Sequence, residues 1–130
     1  MSADLEDVPA ELRAAVSAAL GAAGIGDGHL AVELVDAEAM RRLNREQRAI
    51  DRPTDVLAFP IDGVGEVEGP RELGDVVICP EHCEDVREAA VHGVLHLCGH
   101  DHEADDGEML ELQRRVMTTL VEAEAEAEAR

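Results

Sequence analysis

Four of the six histidines of this 130-residue chain fall within eleven residues, in the run His92-Gly93-Val94-Leu95-His96-Leu97-Cys98-Gly99-His100-Asp101-His102. On a helix, positions i and i+4 lie one turn apart on one face, so His92 and His96 can aim both imidazoles at a single point. A third ligand farther along a straight helix would drift around the cylinder. Gly99 supplies the remedy, because a glycine just past a helix end can adopt the left-handed conformation and turn the chain back. His102 can then approach from outside the helix. His100 is the other candidate for that third place, and the more remote position better suits a chain that has reversed. Three neutral imidazoles leave one position of a tetrahedral site open, the arrangement of a catalytic rather than a structural zinc. An ion held in this way lowers the pKa of bound water to about 7 and generates a nucleophile at neutral pH. Asp101 is a candidate to orient a ligand imidazole from behind.

The spacing H-x3-H-x2-G-x2-H is also that of the metzincin proteases, which require Glu directly after the first histidine as general base. Here that position is Gly93, so a zincin-like metallopeptidase is the lesser reading. Cys79, Cys83 and Cys98 offer no complete ligand set and read as small buried hydrophobes. His29 and His82 carry no supporting pattern.

Charge narrows the possible partners. The chain carries 30 acidic residues against 11 basic ones, a formal net charge of −19, and every basic residue is Arg. Phosphate contacts need cations, so this charge argues against promiscuous nucleic-acid binding. Only residues 41–52 are positive, with five Arg (41, 42, 45, 48 and 52) against Glu46 and Asp51, net +3. A polyanion would be gripped there; the alternative is that these Arg merely balance an acidic surface. Phe59 is the only aromatic residue, which rules out a platform of rings stacked on bases. The odd, small cysteine set, the acidic N-terminus and the lack of a membrane-length apolar run predict a reduced, cytoplasmic protein with no membrane partner.

The elements that must position these residues follow from periodicity. Leu12, Val16 and Leu20 predict a helix over Pro9–Ala23. His29–Val35 alternates as a strand. Asp36 can cap a helix through Met40, Leu43 and Gln47 that carries most of the arginines. The apolar runs Asp55–Phe59 and Asp75–Cys79 predict short strands, with a Gly- and Pro-rich loop over Ile61–Arg71 between them. A helix is expected from about Glu84 to Cys98, and a last one with Met109, Leu112, Val116 and Leu120 on one stripe. Its end, residues 122–130, alternates Glu with Ala and is expected to fray as a tail, because like charges recur at i, i+4. The whole predicts one α+β domain over residues 1–130: a small mixed sheet packed with helices, one of them a zincin-like histidine helix ended by Gly.

Three blocks, together spanning residues 43 to 102, resemble the YbeY family of endoribonucleases and ribosomal RNA maturation factors. The histidine run is similar to that family's HGxLHLxGYDH signature, with His100 where Tyr is usual. Leu43-Asn44 through Arg48 to Pro53-Thr54-Asp55-Val56-Leu57-Ala58-Phe59-Pro60 resembles its LN…R…PTDVLSFP block, and Leu73-Gly74-Asp75-Val76-Val77-Ile78 its LGDIVI strand. The resemblance implies one Zn2+ on His92, His96 and His102, with Arg48 as the catalytic arginine. It implies hydrolysis of phosphodiester bonds in single-stranded RNA, with a role in 16S rRNA 3′-end maturation and ribosome quality control. The implied partners are rRNA and the small ribosomal subunit or its assembly factors, not DNA. It also implies a further helix between Ile78 and His92, for which this chain has almost no room. A non-catalytic ribosome-assembly factor, its metal bracing the fold, is the alternative from another class.

Overall fold

The computed structural model describes residues 3–62, 69 and 71–129; most of the expected loop over Ile61–Arg71 lies outside them. Three strands, β1 (His29–Leu34), β2 (Val56–Pro60) and β3 (Glu72–Ile78), form one sheet in the order β1-β3-β2. β1 runs parallel to the central β3, and β2 antiparallel to it, with Leu57 opposite Val77 and Phe59 opposite Asp75. The α-helices are α1 (Arg13–Ala22), α2 (Ala37–Arg48), α3 (Val86–Leu97) and α4 (Glu108–Glu128). This is the mixed α+β architecture that the periodicities predict.

The two faces of the sheet are covered unequally. On one face α1, α3 and α4 bury the main core, in which Leu12, Val16, Leu30, Leu73, Val76, Ile78, Val91, Leu95, Leu97 and Met109 are almost fully enclosed. Aliphatic side chains fill it because the sequence offers no rings for it; Phe59 lies on the other face. There, among the described residues, α2 covers the sheet, over a second cluster of Met40, Leu57, Val77 and Cys79 edged by Leu43 and Phe59.

Local signals set the helix boundaries. The Asp36 carboxylate accepts from the Ala39 N–H at 2.8 Å and starts α2; Asp85 does the same for α3 through Arg87 N–H. Each satisfies an N–H that has no partner within the helix. α2 stops at Ala49, which adopts φ 58°, a left-handed conformation normally left to Gly or Asn. Asn44, buried within α2, donates its amide to the Arg52 carbonyl at 2.9 Å and ties the helix to the segment leading into β2.

Two expectations need correction or completion. The Glu-Ala tail lies within α4, which runs to Glu128. Ala and Glu are both strong helix formers, and Arg87 of α3 holds Glu124 in an ion pair that anchors the last turns. His29 is not incidental. Its ring lies between two carboxylates, Glu72 Oε2 at 2.6 Å from Nδ1 and Asp7 Oδ2 at 2.7 Å from Nε2. It thereby joins the starts of β1 and β3 to the N-terminal segment. The hydrogen bond with Asp7, then that with Glu72, raise its pKa above the ordinary histidine value. Between β3 and α3 there is only a one-turn 3-10 helix, Pro80–His82, so the chain carries no counterpart of the further helix.

Candidate metal centre and cleft

α3 presents His92 and His96 on one face, and its C-terminus performs the reversal that a third histidine needs. Gly99 takes φ 92°, its N–H bonds to the His96 carbonyl at 3.0 Å, and the His100 N–H reaches back to the Leu95 carbonyl at 3.1 Å. This pair of bonds is the Schellman motif. It delivers His102 to the other two: one ligand atom from each of His92, His96 and His102 lies within 4.8 Å of the others. His100 is not part of that group among the described residues, although it lines the same cleft.

The proton positions suit a shared cation. His96 Nδ1 donates to the His100 carbonyl at 2.9 Å, and His92 Nδ1 to Gln113 Oε1 at 2.7 Å. A neutral imidazole protonated on Nδ1 carries a bare lone pair on Nε2. The two Nε2 atoms face each other at 3.2 Å, so two lone pairs converge with no proton between them. His102 adds a buried Nδ1 that has no hydrogen-bond partner. Burial, and next the neighbouring His92, hold the His96 pKa below the ordinary value against the pull of the His100 carbonyl. The ring is therefore neutral at neutral pH, as a ligand must be. The three residues could hold a divalent ion that accepts imidazole nitrogen.

Sequence reasoning anticipated the three rings but not what orients them. Asp101 does not bond a ligand ring; its Oδ1 accepts from the Glu103 N–H. The orienting groups are a backbone carbonyl and a glutamine one helix away, neither of which a motif reveals. The cysteines are free; Cys79 and Cys98 are buried and Cys83 half-buried. Burial pushes Cys83 and Cys98 up to about 11, leaving protonated thiols rather than thiolate ligands.

Gly93 has a steric reason. A Cβ there would lie 2.5 Å from Val76 Cγ1 and 3.2 Å from Val56 Cγ2, so only glycine lets α3 approach the sheet this closely. The position that would carry a protease's Glu is filled by β3 and β2.

Facing the histidines, a cleft of about 690 Å³ is lined by Arg48, Thr54, Asp55, Val56, Ala58 and Pro60 on one side and by His92, His96, Gly99 and His102 on the other. The arginines of the positive segment differ in availability. Arg41 pairs with Glu38 and Asp51, and Arg45 lies 3.9 Å from Asp51. Among the described residues Arg42, Arg48 and Arg52 have no ion-pair partner, and of the five only Arg48 lines the cleft.

Comparison with known proteins decides the family. The family model described as "Endoribonuclease YbeY" matches residues 2–121. The chain belongs to this family. Proteins named "Endoribonuclease YbeY" resemble it at 44% identity in Alkalilimnicola ehrlichii, over 85% of this chain and 76% of that one, and at 36% in Aquifex aeolicus, over 81% and 79%. A solution structure from Thermotoga maritima is 32% identical over 81% of this chain and 77% of its own, with a TM-score of 0.49, a likeness too loose to argue from. No helix among the described residues is long and apolar enough to cross a membrane.

Proposed function

We propose that this YbeY-family chain is a zinc-dependent endoribonuclease that hydrolyses phosphodiester bonds in single-stranded RNA. The observation that carries this reading is the convergence of two bare Nε2 lone pairs and His102 on one wall of a cleft, with the unpaired Arg48 on the other. When bound by His92, His96 and His102, zinc supplies Lewis acidity toward a phosphoryl oxygen and acidifies water at neutral pH. The chain's own contribution is positioning and charge. Arg48 presents a planar, permanently charged fork that binds a phosphate diester in two-pronged fashion and stabilises charge developing on its oxygens. His92 and His96 direct their Nδ1 protons away from the cleft, to Gln113 and to the His100 carbonyl. The half-open cleft and the edge of β2 admit a single strand. We further propose, on the resemblance carried by the three sequence blocks, rRNA as substrate, 16S rRNA 3′-end maturation and ribosome quality control as the setting, the small ribosomal subunit or its assembly factors as partners, and the cytoplasm as the place.

The peptidase alternative loses support from Gly93, where no acidic side chain would fit. The test is metal analysis of purified protein with cleavage of single-stranded RNA, with and without chelator, and casein in parallel. One zinc per chain and chelator-sensitive RNA cleavage are expected. Casein cleavage would support the peptidase; metal without either activity, lost only on unfolding, would support a metal-braced assembly factor.

A further inference from the structure

Gln113 belongs to none of the sequence blocks that point to the family, yet its side chain meets the metal centre. It lies on α4, one turn from Met109 and three residues before Val116, both buried in the core, so the backbone that carries it is fixed. Its Oε1 accepts from His92 Nδ1 at 2.7 Å. The equivalent bond of His96 goes to a backbone carbonyl, which can only accept and therefore cannot misplace the proton. An amide can. If Gln113 offered its NH2 instead, or were replaced by an apolar side chain, His92 would be free to keep its proton on Nε2, the atom that faces His96.

We propose that Gln113 is a positioning residue of the metal centre, holding the His92 proton on Nδ1 and so fixing both the ring plane and the Nε2 lone pair. This rests on the metal-centre reading above. Partners that bond the outer nitrogen of a ligand histidine set its tautomer and its basicity, and their loss costs about 10- to 100-fold in metal affinity. Gln113 is also a neutral acceptor where a carboxylate would be stronger. The affinity series is therefore ordered: Gln113→Glu at least equal to wild type, Gln113→Leu weaker by about 10- to 100-fold.

Two measurements test this on the full chain: zinc affinity by chelator competition, and the imidazole tautomers of the metal-free protein by 15N NMR above the pH at which the rings are protonated. Wild type and Gln113→Glu should show His92 protonated on Nδ1, and Gln113→Leu a mixture or the Nε2 form. A contact that only braces α4 would lower the melting temperature in Gln113→Leu and leave the tautomer unchanged. Unchanged zinc affinity and tautomer in Gln113→Leu, in a protein that otherwise binds zinc, would overturn the role of Gln113 alone. Weaker binding by Gln113→Glu than by Gln113→Leu would overturn it too. A wild-type chain that binds no zinc would instead overturn the metal-centre reading, and this role with it.

Discussion

The two walls of the cleft are built to different standards. The histidine wall stands on α3 and the turn after it, α3 being buried against both the sheet and the main core, and the Nδ1 atoms of His92 and His96 are tied to a neighbouring helix and to the helix end. The arginine wall is the exposed last turn of α2, held down by a small cluster around Met40 and by Asn44. Coordination, as proposed, would need three atoms placed within fractions of an ångström, and the residues that would supply them stand on a helix buried against the main core. A guanidinium that meets a flexible polymer needs reach more than rigidity. The difference separates what substitution in each wall should do.

The largest effect is expected on the histidine wall. His96→Ala should abolish stoichiometric zinc binding, measured by metal analysis after dialysis, because only one group of three ligand candidates exists among the described residues. His102→Ala should weaken binding far more than His100→Ala; the reverse order would reassign the third ligand and dissolve the geometry argued here.

Next is the arginine wall. Arg48→Ala should keep full zinc occupancy and a near-native melting temperature while RNA cleavage falls about 100-fold or more, the scale of losing one preorganised charge-stabilising donor. Arg48→Lys should recover little, since an ammonium lacks the two-pronged geometry. Arg45→Ala and Arg52→Ala are controls with mild losses, mainly in binding. Equal losses at all three would turn the arginine wall into a diffuse attracting surface.

Away from both walls, His29 should affect stability alone. Its pKa is raised in the folded state; the unfolded value is near 6.5. The stabilisation it gives is therefore complete below the unfolded pKa and disappears as pH rises through the folded one. The melting-temperature gap between wild type and His29→Gln should accordingly narrow from mildly acidic to alkaline pH, with zinc content unchanged. A gap that widened with pH would mean that the ring is held neutral. The smallest effect is reserved for the end of α2: Ala49→Gly, at φ 58°, should stabilise by about 0.5–1 kcal/mol, the left-handed cost of a Cβ less the extra entropy of Gly. Chemical denaturation would resolve it.

Most of the fold was legible because its signals are local. Asp36 caps α2, the period of Leu12, Val16 and Leu20 marks α1, and Gly99 ends α3, each within a few residues of the element it governs. The histidine cluster was legible for the same reason, its three rings lying in eleven residues. What escaped depends on distance along the chain. Gln113 is 21 residues from His92, and His29 meets Glu72 across 43; no spacing rule connects them. Gly93 was legible only as a missing base. That it is also the contact point of helix and sheet needed Val76 in place. The contact of Arg87 with Glu124 across 37 residues was likewise beyond any spacing rule.

The Glu-rich end of α4 makes the molecule electrically lopsided. At long range a polyanion meets a body of net charge −19 and is repelled; at contact it meets the unpaired arginines of one short segment and is attracted. Salt acts on the two in opposite senses. With a Debye length of about 30 Å at 0.01 M the repulsion reaches far into solution, whereas at 0.15 M it fades beyond about 8 Å. Further salt then weakens the arginine contacts through counterion competition. Capture of RNA should therefore be fastest at an intermediate ionic strength, and encounters should succeed mainly when the arginine segment leads. On the proposed function the acidic surface would act as an orientation filter, turning away approaches that do not bring a strand to the cleft.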